Sequence, residues 1–139
     1  MPEQLVMTFK LDAKRIDGEG SVVHAKDVEL VIDTSMAGRV DALNPVELLL
    51  AALAACMLKG IERISPTLPF AYAGAEVSLT AHRPEQEARI TDITYVLRVA
   101  TDEPDARLEL LHKNLQKFGT IYNTVKAGTA LSGVIERLG

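Results

Sequence analysis

From Leu5 to Asp33 apolar side chains recur at about every second place in three short runs, QLVMTFKLDA, GEGSVVHA and DVELVID. That period predicts a β meander, with RIDGEG and the pair Lys26-Asp27 as its turns. The following TSMAGRVDAL keeps neither the strand nor the helix period and is expected as a loop. At Asn44 the pattern changes. Asn44 is a capping residue, Pro45 suits the first helical position, and Glu47 falls where a capping-box carboxylate reaches back to the cap. From Leu48 to Leu58 every residue is apolar, and the helix is expected to end at SPTLP with its two prolines. A helix apolar nearly all round must be buried on most of its faces.

Beyond that break, AEVSLTAHR puts Val77 and Leu79 on one face. ITDITYVLRVA does the same for Ile93, Tyr95, Leu97 and Val99, and PEQEA between them reads as a hairpin loop. Leu108, Leu111 and Leu115 return to helical spacing, with acids early, lysines late and Gly119 as the stop. TALSGVIERL reads as a closing strand. The expected layout is one domain over 1–139: meander and loop 1–43, central helix 44–65, strand pair 73–100, second helix 102–118 and last strand 128–138. The class is α+β.

Composition narrows the partners. With 47% hydrophobic and 24% charged residues the chain is globular, and a formal net charge of -4 with mixed signs gives no basic stripe for a nucleic acid backbone. The apolar run ending at Lys59 is far short of the roughly 20 residues that span a bilayer. MPEQLVMTFK has no secretory pattern, and a single cysteine excludes an intrachain disulfide, so the cytoplasm is the expected compartment. His24, His82 and His112 are scattered, with no Cys or carboxylate at ligand spacing. They read as surface or half-buried residues, and neither metal nor cofactor is expected.

The one thiol, Cys56, sits near the end of the apolar run. It lies too far from the cap for the helix N-terminal field to reach it. On a helical wheel position 59 falls roughly 60° and position 63 roughly 20° from Cys56, so Lys59 and Arg63 share its stripe and are placed to favour an anionic sulfur. Glu47 lies roughly 180° away and belongs to the cap. No local signature supplies a base, and an unpaired cysteine among Ala and Leu is also what a small buried hydrophobe looks like.

NPVELLLAALAACM, together with the order of elements, resembles the OsmC/Ohr superfamily of osmotically inducible and organic hydroperoxide resistance proteins. In that family an Asn/Ser-Pro opening leads through an Ala/Leu-rich helix to the reactive cysteine, which corresponds to Cys56. The resemblance implies antiparallel sheets around long central helices in an interlocked homodimer, with active sites at the subunit interface. It implies thiolate attack on a peroxide, release of an alcohol, and a sulfenic acid that a second cysteine traps, with an Arg and a Glu holding thiolate and substrate.

Three positions depart from the family pattern. GTIYNTV carries Gly119 where the resolving cysteine of the Cys-Pro-Val/Ile-x-Asn-Thr motif would stand, and Thr120 where its proline would. Val46 stands where hydroperoxide-reducing members have Glu; position 46 lies roughly 80° from Cys56 on the wheel. The catalytic Arg is matched by Arg15 in RIDG, with Ile16 as an extra residue. Three readings stay open: a one-cysteine reductase of organic hydroperoxides using Cys56, Arg15 and an external thiol reductant; a dimeric binding protein for a small apolar ligand; and a purely structural Cys56.

Overall fold

The structure, a computed structural model, describes residues 4–139 and forms two compact units, one ending at Leu48 and one beginning at Leu49. The first contains a three-stranded antiparallel sheet of β1 (Asp12–Asp17), β2 (Gly20–Ala25) and β3 (Val28–Ile32) in that order. A two-residue turn joins β2 to β3, with Lys26 in the left-handed region at φ 56. The register shifts between Arg15 and Asp17, so Ile16, the residue that looked superfluous in RIDG, is the extra residue of a β-bulge.

The first expected strand needs correction. QLVMTFKLDA predicted β structure from Leu5, but β1 starts at Asp12 and residues 4–11 belong to no element. Their alternation is strand-like, yet β2 is only as long as residues 12–17, and no strand of the chain among the described residues extends the pairing. Leu5, Val6, Met7 and Phe9 are therefore exposed.

The loop after β3 is ordered by a buried carboxylate. Asp33 accepts from Ser35 Oγ at 2.6 Å, Ser35 N at 2.9 Å and Arg39 N at 2.8 Å. The hydrogen bonds from Ser35 are the main cause holding its carboxyl below the usual range. Arg39 in turn pairs with Asp41 through two nitrogens at 2.8 and 2.9 Å.

α1 (Pro45–Ile64) opens as the sequence requires: Asn44 N donates to Glu47 Oε1 and Glu47 N to Asn44 Oδ1, both at 2.9 Å. In the second unit β4 (Gly74–His82) pairs antiparallel with β5 (Asp92–Ala100), and β5 pairs with β6 (Ala130–Arg137) in parallel. This sheet is therefore mixed and not wholly antiparallel. A parallel neighbour needs a crossover, supplied here by α2 (Asp105–Phe118) and α3 (Thr120–Lys126). α3 was not expected: it is short, mostly polar outside Tyr122, and follows directly on Gly119.

The core lies between this sheet and the helices. Met57, Ile61 and Ile64 of α1, Tyr95, Leu97 and Val99 of β5, and Leu108, Leu111 and Leu115 of α2 are all buried in one cluster. The face expected for β5 is thus the buried one. Gly60 lets α2 come close, since a Cβ there would stand 2.7 Å from Leu115 Cδ2. Gly133 of β6 is paired with Tyr95, whose ring lies flat over it: a Cβ on Gly133 would meet three ring atoms at 2.4 to 2.5 Å.

Gly133→Ala is expected to destabilise the chain by about 1–3 kcal/mol, the cost of overpacking against a ring that has no room to move. Urea unfolding monitored by circular dichroism measures it, with a fall in midpoint at unchanged slope as the expected outcome.

Candidate functional site

Cys56 lies twelve residues into α1 when Pro45 is counted as the first, one place before the fully packed Met57. The helical stripe Leu53, Met57, Ile61, Ile64 faces the core, so the neighbouring position 56 falls at its margin. The thiol is accordingly half-buried and packs against the core cluster from its edge. Lys59 and Arg63, expected on its stripe, are exposed, and among the described residues neither forms an ion pair.

Of the second family motif, Gly119 lies beside the thiol. A Cβ built on that residue would stand 3.1 Å from Cys56 Sγ, 3.0 Å from Tyr122 Cβ and 2.9 Å from Leu115 O. Gly119 has φ -75 and ψ 114, a conformation open to any residue, so the glycine is there for space. It sits at the joint of α2 and α3, closing α2 through its N–H to Leu115 O at 3.1 Å and opening α3 through its carbonyl to Asn123 N at 2.9 Å. The joint sets Gly119 beside the sulfur, and both the sulfur and Tyr122 Cβ border the space that a side chain at 119 would take.

Arg15 lies in the first unit, on β1, exposed, with its guanidinium over the Gly18 turn: a Cβ on Gly18 would be 3.8 Å from Arg15 Nη2. The Ile16 bulge follows it directly. Cys56 belongs to the second unit, so the two expected site residues are described each in its own unit. Val46 brings no carboxylate to the start of α1, and Glu47 is engaged in the cap.

Sequence reading missed a polar cluster in the core. The sequence groups His112 with His24 and His82 as surface or half-buried residues; His24 and His82 are exposed beside Glu29 and Asp92, but His112 is buried. Its Nε2 lies 2.6 Å from the Tyr95 hydroxyl, and Gln116 Nε2 donates to that hydroxyl at 3.2 Å. Burial holds the His112 ring below its ordinary basicity, partly offset by the Glu109 carboxylate. Burial likewise pushes the Tyr95 phenol well above its usual range, and Tyr122 adds to the effect while Gln116 opposes it. The signal was available, because His112 shares the helical stripe of Leu108, Leu111 and Leu115. Among the described residues no group of His, Cys, Asp and Glu could hold a metal ion, and no helix is long and apolar enough to cross a membrane.

Two outcomes follow from this geometry. In a disulfide each Cβ lies about 3 Å from the partner sulfur, a distance set by the S–S and C–S bonds. Gly119→Cys is therefore expected to cross-link to Cys56 on oxidation, read as loss of both free thiols and of two hydrogens by mass spectrometry. For His112 the folded chain binds its proton less readily than the unfolded chain, whose imidazole titrates near 6.5, so stability is full above that value and falls as pH drops below it. Denaturant midpoints between about pH 7.5 and 5 should decline less in His112→Gln than in the unchanged protein.

Comparison with known proteins places this arrangement. The profile of the family described as OsmC-like protein matches residues 38–132. An OsmC-like protein from Mycoplasma pneumoniae superposes with a TM-score of 0.89 at 12% identity, over 97% of this chain and 100% of that one. An organic hydroperoxide resistance protein from Elizabethkingia anophelis gives 0.79 at 11% identity, over 98% and 100%. The organic hydroperoxide resistance protein OsmC of Legionella pneumophila gives 0.72 at 16% identity, over 96% and 99%. A search of curated proteins finds no match. At these identities the solved structures speak for the fold alone, an α+β architecture, while the profile covers well over half of the sequence: the chain belongs to the OsmC-like protein family.

Proposed function

We propose that this chain is an OsmC-like protein of the oxidative and osmotic stress type, a single domain over 1–139 that works as a cytoplasmic homodimer, in which Cys56 reduces organic hydroperoxides by a one-cysteine cycle. The observation that carries the reading is the contact of Cys56 Sγ with the Gly119 joint. It brings the two motifs of the family pattern together on a half-buried sulfur.

In the cycle the Cys56 thiolate attacks one oxygen of the hydroperoxide and the O–O bond breaks. The alkoxide takes up a proton and leaves as an alcohol, and the sulfur becomes a sulfenic acid. With glycine at 119 no thiol of the same chain traps it. An external thiol condenses with the sulfenic acid to a mixed disulfide and water, and a second thiol releases Cys56 and leaves as a disulfide. Arg15 is proposed as the partner of thiolate and substrate.

The second copy is supported by apolar surface. Leu5, Val6, Met7 and Phe9 on the unpaired arm, Val28, Leu30 and Val31 on β3, and Met36 and Val40 on the loop are exposed in one unit of the chain. A three-stranded sheet with so little buried needs a further layer for stability. Ala51, Ala55 and Leu58, spaced along α1, are exposed as well. A second reading, a binding protein for a small ligand with an apolar part, is favoured by a groove of about 610 Å³ in the first unit, where Leu30, Val31, Val40 and Leu43 line it together with Arg39, Asp41 and Glu47.

Stopped-flow oxidation with an organic hydroperoxide is expected to add one oxygen at Cys56 faster than to a free cysteine, and not at all in Cys56→Ser. Arg15→Ala should lower that rate roughly ten- to hundredfold, the worth of about 1.5–3 kcal/mol for a charged hydrogen bond. A rate no greater than that of a free thiol, with a thermal shift on adding apolar ligands, selects the binding reading. Sedimentation at twice the 15.1 kDa chain mass is expected, and a single-chain mass overturns the dimer.

A further inference from the structure

The open flank of α1 beside the thiol carries an unbalanced charge. Seen down the helix, the core residues Leu53, Met57, Ile61 and Ile64 lie to one side of Cys56, while Lys59 and Arg63 lie roughly 60° and 20° to the other. The two cations stand about 4.5 and 10.5 Å further along the axis. Because Cα–Cβ bonds in a helix tilt toward its N-terminus, both lean back over the turns between them and the sulfur. Ala51, Ala55 and Leu58, the patch assigned to the second copy, lie roughly 100–160° round on the same side, beyond the cations. Glu62 is the one acid of α1 after Glu47, and it accepts a hydrogen bond from the Tyr72 hydroxyl. Among the described residues no carboxylate lies within ion-pair distance of Lys59 or Arg63. Arg63, in the last turn, also complements the negative end of the helix; Lys59 lies ahead of that turn, so the helix end does not account for it.

We propose that Lys59 and Arg63 select the external reductant of Cys56, and that this reductant is a small thiol carrying a carboxylate. This rests on the reading of Cys56 as the reactive group. The hydroperoxide reacts through an uncharged O–O bond, whereas the reductant attacks as an anion, and does so twice. In the first attack a thiolate meets the sulfur of the sulfenic acid: an S–S bond forms, the S–O bond breaks, and hydroxide takes up a proton and leaves as water. In the second another thiolate meets the reductant's sulfur in the mixed disulfide. The two reductant molecules leave joined as a disulfide, and Cys56 is released as thiolate. Both attacks bring negative charge to the flank where Lys59 stands. Arg63, about 6 Å further along the axis, offers a carboxylate two parallel N–H donors, which fits a thiol whose carboxylate lies a few bonds from its sulfur.

The test blocks Cys56 as its mixed disulfide with mercaptoethanol and follows the return of free Cys56, by mass spectrometry of acid-quenched samples, on adding mercaptopropionate, mercaptoethanol or cysteamine. The three thiols share a short spacer and end in an anion, a neutral group and a cation. Each rate is divided by that for the same mixed disulfide of an uncharged cysteine peptide, which removes differences in thiol reactivity. The divided rate is expected to be roughly fivefold greater for mercaptopropionate than for cysteamine at about 0.01 M salt, the order of one exposed ion pair. It should fall toward equality at about 1 M salt, where the Debye length shrinks to ~3 Å. The preference should vanish in the double variant Lys59→Gln, Arg63→Gln and persist in Lys59→Arg, Arg63→Lys, which keeps both charges. Equal rates in the unchanged protein, or a preference for cysteamine, overturn the proposal even if neither variant folds, and so does a preference that survives loss of both charges. Because no peroxide is present, a failure of hydroperoxide turnover with the anion preference intact counts against the catalytic reading alone.

Discussion

The structure turns on a helix that is too apolar for any one surface to cover. α1 commits Leu53, Met57, Ile61 and Ile64 to the core, and Gly60 among them allows Leu115 of α2 to close in. That stripe fixes the rotation of the helix, and the rotation fixes Cys56 at its margin, half in the core and half out. A thiol one place earlier in the helix would be exposed, and one place later it would be sealed. Its usable exposure is a by-product of where the packing ends.

The same constraint explains what the chain leaves uncovered. Ala51, Ala55 and Leu58 are apolar and exposed, and the first unit adds a sheet in and beside which, among the described residues, only Gly20, Ser21 and Asp33 are buried. Desolvation of such surface is worth about 25 cal/mol per Å², so it is the natural seat of the proposed second copy.

Local patterns made much of this legible. The Asn44–Glu47 box, the proline that starts α1 and the alternation of β5 act within a few residues of themselves, and the structure has all three where the sequence put them. What was not legible depends on partners far away along the chain. Alternation in residues 5–11 says strand, but a strand exists only where a neighbour offers hydrogen bonds, and β2 ends too soon. The parallel pairing of β6 was hidden because direction is set by the crossover, and α3 within that crossover buries only Tyr122. For the site, Cys56 was visible as a lone thiol in a greasy run. Its contact with Gly119 joins residues 63 positions apart, and only the family pattern hinted at it. His112 is polar by type, and only its place on the stripe of Leu108, Leu111 and Leu115 marks it as buried.

The joint at Gly119 also decides how the proposed chemistry must run. A missing side chain could leave a hole beside the sulfur, into which a small thiol or water would settle. Here the neighbours have closed over it: Leu115 O and Tyr122 Cβ stand 2.9 and 3.0 Å from where a Cβ would be, nearer than the 3.1 Å to the sulfur itself. A reductant therefore has no room on the side of the joint and must reach Cys56 from the side of α1 that the core does not cover. That is the side bearing Lys59 and Arg63. In the proposed cycle substrate and reductant then share one approach, and the sulfenic acid waits until the alcohol has left before any thiol arrives. A chain with its resolving sulfur at position 119 would separate the two approaches. With glycine at 119 the proposed cycle has the one approach for both.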